Sequence, residues 1–384
     1  MVSRRVMLIT GGAGVALIGA AAFRLHSNLG PARKPWFEAG EGYDDPRLDA
    51  LSYAVLAPSP HNLQPWLIRL DGDDGLTLFC DLERRLPETD PLDRQTVIGL
   101  GAFLELLRQA AAEMGYALET DAFPEGEAFP VLDKRPIASV RFVKTGERDK
   151  DPLFAALLKR RTARSPFDQS RPVSAETLNA LDSVLRAEDG EFEWANDDAN
   201  LEMLKEICRK AWRTEMTTPG PRHESASYTR IGEKQINAHP DGISLSGPVM
   251  EAMGAFGVLT QDAMDDPDST AFAETIKFYE KNIDTAMAFG WLTTENNSRK
   301  DQLRSGAGWV RLQQAAAGMG LSMQPFSQAL EEYPEMAEIL EEIHDFAGLR
   351  APARMQGLFR FGYGKDEPPA PRWPLETRLV NADA

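Results

Sequence analysis

The chain has 384 residues, 42% of them hydrophobic, enough for an ordinary buried core spread over two domains or one large one. Its formal net charge of -17, with no long basic face, argues against sequence-independent binding to DNA or RNA. Cys80 and Cys208 fall in apolar runs and read as buried hydrophobes, and the five histidines share no ligand spacing, so neither a disulfide framework nor a metal site is expected.

Residues 1–25 read as an export segment. Ser3-Arg4-Arg5 supplies a charged start, Val6 to Phe23 carries no charge, and Arg24 ends the run. The arginine pair followed by Val6, Met7 and Leu8 resembles a twin-arginine signal, which implies export of a folded protein to the periplasm. Ala20-Ala21-Ala22 offers a cleavage site, an uncleaved anchor is the other reading, and a plain membrane helix is a third. His26 to Asp45, broken by proline and glycine, reads as a linker.

A helix is expected from Pro46, with Leu48, Leu51 and Val55 on one face, ending at Ala57-Pro58 because the residue before proline avoids helical angles. Pro58 to Trp66 follows as a proline-stiffened loop with Ser59, His61, Asn62 and Gln64. Either it presents polar groups to a ligand or they cap the neighbouring helix. The alternation predicts a hairpin with strands at 66–70 and 76–81, a long helix from Thr96 to Met114, and strands at 116–120 and 137–143.

The sequence Lys159-Arg160-Arg161-Thr162-Ala163-Arg164 holds four cations and no acid, against the trend of the whole chain. One reading is a short helix from Asp151 to Arg161 whose C-terminal dipole the cations offset. The other is an anion site: Arg160, Thr162 and Arg164 alternate, so an extended segment aims two guanidiniums and a hydroxyl one way, a good receptor for phosphate. Helices are expected around Leu178 to Leu185 and Leu201 to Cys208. Thr217 to Gly247 has no sustained period and reads as a lid or a disordered segment. Further helices run through Phe272 to Ile283 and Ser298 to Met319. A strand at 321–324, the turn Pro325-Phe326-Ser327-Gln328, an acidic helix and a strand at 358–361 complete the pattern.

The long helices repeat one another. GAFLELLRQAAAEMGY at 101–116 matches GAGWVRLQQAAAGMGL at 306–321 without gaps, with Gly101/Gly306, Gln109/Gln314, Ala110/Ala315 and Gly115/Gly320 among the identities. Chance likeness of two alanine-rich helices is the alternative to duplication, but the matched glycines at both ends favour duplication and a pseudo-dimer of two halves, 46–150 and 151–384. Only the first half contains the Pro58 loop; only the second contains the Arg160 cluster and the Pro325 turn.

In these motifs the chain resembles the nitroreductase-like flavoproteins, and most closely their Acg-type branch of fused halves. Arg160 to Phe167 (RRTARSPF), Ala57 to Trp66 and Gly318 to Phe326 carry the resemblance, with Phe361-Gly362-Tyr363-Gly364 and Pro371-Arg372-Trp373-Pro374 in the tail. It implies an α+β nitroreductase-like fold with the two halves as an intramolecular pseudo-dimer, alone or further associated, and FMN as cofactor. Arg160, Thr162 and Arg372 would hold the phosphate and Arg164 the N1/O2 edge of the ring. Pro58, Ser59 and Asn62 would reach the cofactor from the first half, Pro325 would bind it from the second, and backbone around Phe326, Ser327 and Gln328 would meet N5 and its face. The implied activity is hydride transfer from NAD(P)H to a nitroaromatic, quinone or similar acceptor. The alternative is a flavin-sequestering protein whose lid, about 217–247, prevents turnover.

Overall fold

The structure, a computed structural model, describes residues 30–146, 150–186 and 191–381. The twin-arginine-type segment therefore lies outside the described residues, and among those described no helix is long and apolar enough to cross a membrane.

Helix α1 (Pro46–Ala54) begins as its sequence dictates. Pro46 takes the first turn, where its missing N–H costs nothing, and the Asp45 carboxylate accepts from Arg47 N at 2.8 Å. Strands β1 (Trp66–Asp71) and β2 (Gly75–Cys80) form the expected hairpin. Helix α2 (Arg94–Glu113) starts two residues before the expected point, because Arg94 is itself buried and donates to Leu330 O at 2.6 Å. Strands β3 (Tyr116–Ala122) and β4 (Ala138–Lys144) complete the local part of a five-stranded sheet, ordered β11-β1-β2-β4-β3. Its remaining member, β11 (Leu379–Val380), comes from far along the chain and is laid parallel to β1 with Ile68 opposite Leu379.

The second sheet holds β5 (Glu191–Ala195), β8 (Ala288–Thr294), β9 (Ser322–Pro325) and β10 (Arg354–Gly362) in the antiparallel order β5-β8-β10-β9. Strands β5 and β8 have no counterpart in the sequence reading. In β8 only Thr294 escapes full burial, since the strand is covered on both faces, so the two-residue alternation that marks a half-exposed strand is missing. Around this sheet pack α3 (Ala175–Arg186), α4 (Asp198–Thr217), α9 (Thr270–Asp284), α10 (Arg299–Gly318) and α11 (Ala337–Phe346).

Helices α2 and α10, the two copies of the repeat, pack on each other between the sheets. Identical residues meet: the side-chain amides of Gln109 and Gln314 exchange hydrogen bonds of 3.0 and 2.7 Å, and Gly101 lies against Gly306. A Cβ on Gly101 would collide with the Leu303 carbonyl, and one on Gly306 with the Ile98 carbonyl, so this approach is open to glycine alone. Beside it, Arg311 bonds Glu105 at 2.8 Å and Asp151 at 2.5 Å, and Arg108 bonds the same two carboxylates. Asp151 is thereby fixed, caps the 3-10 helix Pro152–Lys159 and so sets where the basic cluster begins.

Two stretches differ from expectation. Residues 217–247 are neither irregular nor disordered: they fold as the end of α4, then α5 (Pro219–Ser227), β6 (Thr229–Ile231), α6 (Gly232–Ala238) and β7 (Ile243–Leu245), with α7 (Pro248–Ala255) and α8 (Gln261–Asp265) after them. None of the elements after α4 exceeds nine residues, too few turns to register as a period. Residues 31–38, read as part of a linker, are packed instead. Trp36 is 4% exposed and donates to Ala370 O at 2.8 Å, and Arg33 bonds Pro369 O and pairs with Glu233.

Gly306→Val should destabilise the fold by at least the 1–3 kcal/mol typical of overpacking, roughly, because a backbone carbonyl must yield. Gly308→Ala, where a Cβ meets only ordinary contacts, is the control. Urea denaturation of the two variants checks this, and equal midpoints would remove the helix contact as a constraint.

Candidate functional site

The end of α1 and the loop after it set one wall of the site. His61, Asn62 and Gln64 all hold left-handed backbone angles (φ 46°, 56° and 55°), which non-glycine residues adopt only when their surroundings insist. Those surroundings are explicit. Ser59 Oγ accepts from Gln64 N at 2.9 Å, Gln64 Nε2 donates to Pro240 O at 2.8 Å, Asn62 Nδ2 donates to Pro371 O at 3.1 Å, and Asn62 Oδ1 accepts from Arg372. Pro58 and Ser59 are partly exposed beside them. The polar loop residues thus brace the loop on the C-terminal tail and on the 217–247 segment, and only one of these bonds is internal.

The opposite wall is the basic cluster. After the 3-10 helix the chain is extended. Arg160, 2% exposed, donates to Gln313 Oε1 at 2.9 Å and to Leu56 O, while Gln313 Nε2 donates to Thr162 Oγ1 at 3.3 Å. One amide from α10 therefore holds both alternating residues. Arg372, equally buried, donates to Leu56 O and Ala57 O, each at 2.9 Å. Arg160, Arg161 and Arg372 share one aromatic neighbour, the Trp36 ring, at 5.4, 4.9 and 5.5 Å from its centroid.

Four guanidiniums converge here, and among the described residues none of Arg160, Arg161, Arg164 and Arg372 forms an ion pair. Burial and the repulsion of Arg161 push Arg160 down to about 9. Arg372 is lowered by burial and then by Arg160, Arg161 and Arg164 in turn. Asp366 and Glu367 relieve Arg161 and Arg164 only from a distance, with Glu367 engaged by Ser165. Buried cations without a counter-ion are costly. Three enclosed donors also remain unpartnered: Arg160 Nε, Arg164 Nη1 and Arg372 Nε. A phosphate-bearing ligand supplies both missing things, acceptor oxygens and negative charge.

The turn at 325–328 closes the site from the second sheet. Phe326 is 1% exposed, its N–H donating to Leu358 O at 2.8 Å, while Pro325, Ser327 and Gln328 stay partly exposed. Tyr279 stacks on Trp212 at 4.1 Å and donates to Gln328 Oε1 at 3.1 Å. From Gln328 polar contacts run back to the first wall. Gln328 lies against Glu215, Ser225 Oγ donates to Glu215 Oε1 at 2.7 Å, and His61 Nε2 meets Ser225 Oγ at 3.0 Å. The residues named from sequence therefore form two groups: Arg160, Thr162, Arg372 and Asn62 joined through Gln313 and Leu56, and Gln328 with Phe326, tied to the loop through Glu215 and Ser225.

Sequence reading missed Trp36, Gln313, Glu215, Ser225 and Arg360. Arg360 is fully buried on β10, bonded to Ser165 O at 2.7 Å and lying 3.8 Å from the Phe167 ring centroid, so it shapes the backbone after Arg164. An arginine inside the strand read at 358–361 was the available signal. Gln313, standing next to the repeated Gln314, offered none.

Burial pushes the Glu215 carboxyl up to about 7, against the bonds from Ser225 and Gln328 that lower it. Below the ordinary value of 4.5 both folded and unfolded chains keep this proton. As pH rises from there towards 7, the unfolded chain sheds it first, so stability falls, by up to about 3 kcal/mol for this group. Glu215→Gln keeps the acceptor for Ser225 and cannot ionise. Its unfolding free energy from urea titration should gain on the parent's by about 2–3 kcal/mol between about pH 4.5 and pH 8, and parallel curves would show that Glu215 carries no such penalty.

No family model matches the chain. It is 36% identical over 118 residues to "Putative NAD(P)H nitroreductase acg" of Mycobacterium tuberculosis, a match covering 31% of this chain and 34% of that relative. The chain thus spans about a third of the relative's length in that match. A second protein of the same organism, also named as a putative NAD(P)H nitroreductase, is 26% identical over 345 residues, covering 85% of this chain and 91% of the relative. The crystal structure of the FMN-dependent nitroreductase NfnB from Mycobacterium smegmatis with NADPH aligns over 57% of this chain and 92% of its own, at 18% identity and a TM-score of 0.35. In sequence, then, the chain is similar to proteins named as putative NAD(P)H nitroreductases, which supports a nitroreductase-like family.

Proposed function

We propose that the protein is an FMN-dependent oxidoreductase whose single flavin lies between two diverged halves of an intramolecular pseudo-dimer, 46–150 and 151–384. The observation that carries this reading is the set of three unpartnered guanidinium donors, on Arg160, Arg164 and Arg372, in a cluster without an ion pair. Arg160, Thr162 and Arg372 are assigned to the phosphate. Arg164 is assigned to the ring edge where negative charge gathers on reduction, because a fixed cation there favours the reduced form. Pro58, Ser59 and Asn62 on one side and Pro325 to Gln328 on the other would flank the ring. The pairing of Gln109 with Gln314 and Gly101 with Gly306 supports the pseudo-dimer, since a two-fold axis brings like residues together.

Bound FMN supplies the redox chemistry: hydride taken from NAD(P)H at N5 and given to a nitroaromatic, quinone or similar acceptor. The chain's part is to bind, orient and exclude water, so no acid–base pair is demanded of it. The segment from α5 to β7 bears on that last task. Ser225 on His61, Pro240 on Gln64, and Asp241 on Arg84 (2.9 Å) and Trp373 (3.0 Å) fasten it over the Pro58 loop. This same fastening favours a second reading, a flavin-holding protein whose cover denies a second substrate entry. Export by the twin-arginine route, with function in the periplasm or at its membrane, completes the proposal.

The purified chain should be yellow, and anaerobic NADH or NADPH should bleach its visible flavin band. Bound FMN with an unchanged spectrum would favour the holding protein, and a colourless chain that takes up no FMN would overturn both. Replacing Arg160 and Arg164 by Ala should cost about 3–6 kcal/mol of FMN affinity, at least a hundredfold in Kd. Titration with free FMN, followed by its fluorescence, measures this, and retained affinity would remove the two arginines from the site.

A further inference from the structure

The most exposed apolar surface of the described residues is on α7 and the turn after it. Val249, Phe256 and Val258 are 65%, 84% and 55% exposed, and Pro248, Ala252 and Ala255 are exposed between them. From Gly247 to Leu259 the sole charged residue is Glu251, and it points inward, its Oε1 accepting from Glu233 N at 2.6 Å. Met250 and Met253 pack beneath, against the small core of Ile231, Leu259 and Met264. In a chain of net charge -17, an uncharged outward face with a bare phenylalanine at its tip marks a contact surface.

The start of the chain points to what it meets. Ala32 N donates to Asn237 Oδ1 at 3.0 Å and Arg33 pairs with Glu233, so the N-terminal stretch docks on α6, the helix that Glu251 ties to α7. Helix α6 has seven residues, roughly 10 Å of rise. Only residues 24–29 separate Phe23 from Gly30, a contour of at most about 25 Å. The apolar run Val6 to Phe23 is eighteen residues without charge, close to the ~20 that cross a bilayer. Wherever that run inserts, the lobe bearing Phe256 is held close to the surface it enters.

We infer that, in the chain that retains residues 6–23, the Val249–Val258 face rests on the same lipid bilayer and Phe256 enters its interface as a second point of attachment. A second copy of the chain is the weaker candidate, because six residues fall far short of the roughly 20–30 residues a side of a stable protein interface. The acidity of the chain makes the contact apolar rather than electrostatic, so it persists at high salt and on zwitterionic lipid.

The test uses the full chain in phosphatidylcholine vesicles with a fluorophore on Ala255→Cys, Cys80 and Cys208 being buried. Asp73→Cys, in the exposed β1–β2 turn, is the control. Quenchers attached to the lipid acyl chains should lower emission at position 255 by about half or more and leave position 73 unchanged, with or without added salt. Adding Phe256→Asp should abolish quenching at 255 while the chain stays vesicle-bound. Equal emission at both positions overturns the inference. So does concentration-dependent self-quenching at 255, which would identify a second copy, and so does shielding from both lipid and aqueous quenchers, which would show residues 6–23 folded over the patch.

Discussion

Two helix backbones in contact at Gly101 and Gly306 fix the spacing on which the molecule depends. Because no side chain intervenes, α2 and α10 approach until the buried Gln109 and Gln314 amides can satisfy one another. The same seam carries the Arg311, Glu105, Asp151 and Arg108 network, and Asp151 starts the short helix that delivers Arg160. A shift at the glycines would therefore travel directly to the guanidiniums.

Against this rigid seam the candidate site is electrostatically unfinished. Arg160 and Arg372 lean on carbonyls just after α1 and on the face of Trp36, and neither answers a full positive charge as a phosphate would. Loop strain at His61, Asn62 and Gln64 belongs to the same design: left-handed residues hold their places only because Arg372, Pro371 and Pro240 grip them.

Much of this was legible in the sequence. The long helices, the first hairpin and the repeat announced themselves by period and identity, and the alternation of Arg160 and Thr162 does place both on Gln313. Strand β8 hid because a strand buried on both faces has no alternation to read. The helices of the 217–247 segment hid because each is too short to establish a period. Trp36 hid inside a stretch whose prolines and glycines look like a linker, although its prolines only start short helical turns. The polar contacts from His61 through Ser225 and Glu215 to Gln328 join residues up to 267 positions apart, and nothing local foretells such an encounter.

The route of the tail makes both the first sheet and the basic cluster depend on residues far along the chain. Arg372 grips the carbonyls of Leu56 and Ala57 across more than 300 positions, and the final strand at 379–380 closes the sheet that began at Trp66. Cutting the chain before Arg372 would therefore take away both the strand that pairs parallel with β1 and one of the four clustered guanidiniums.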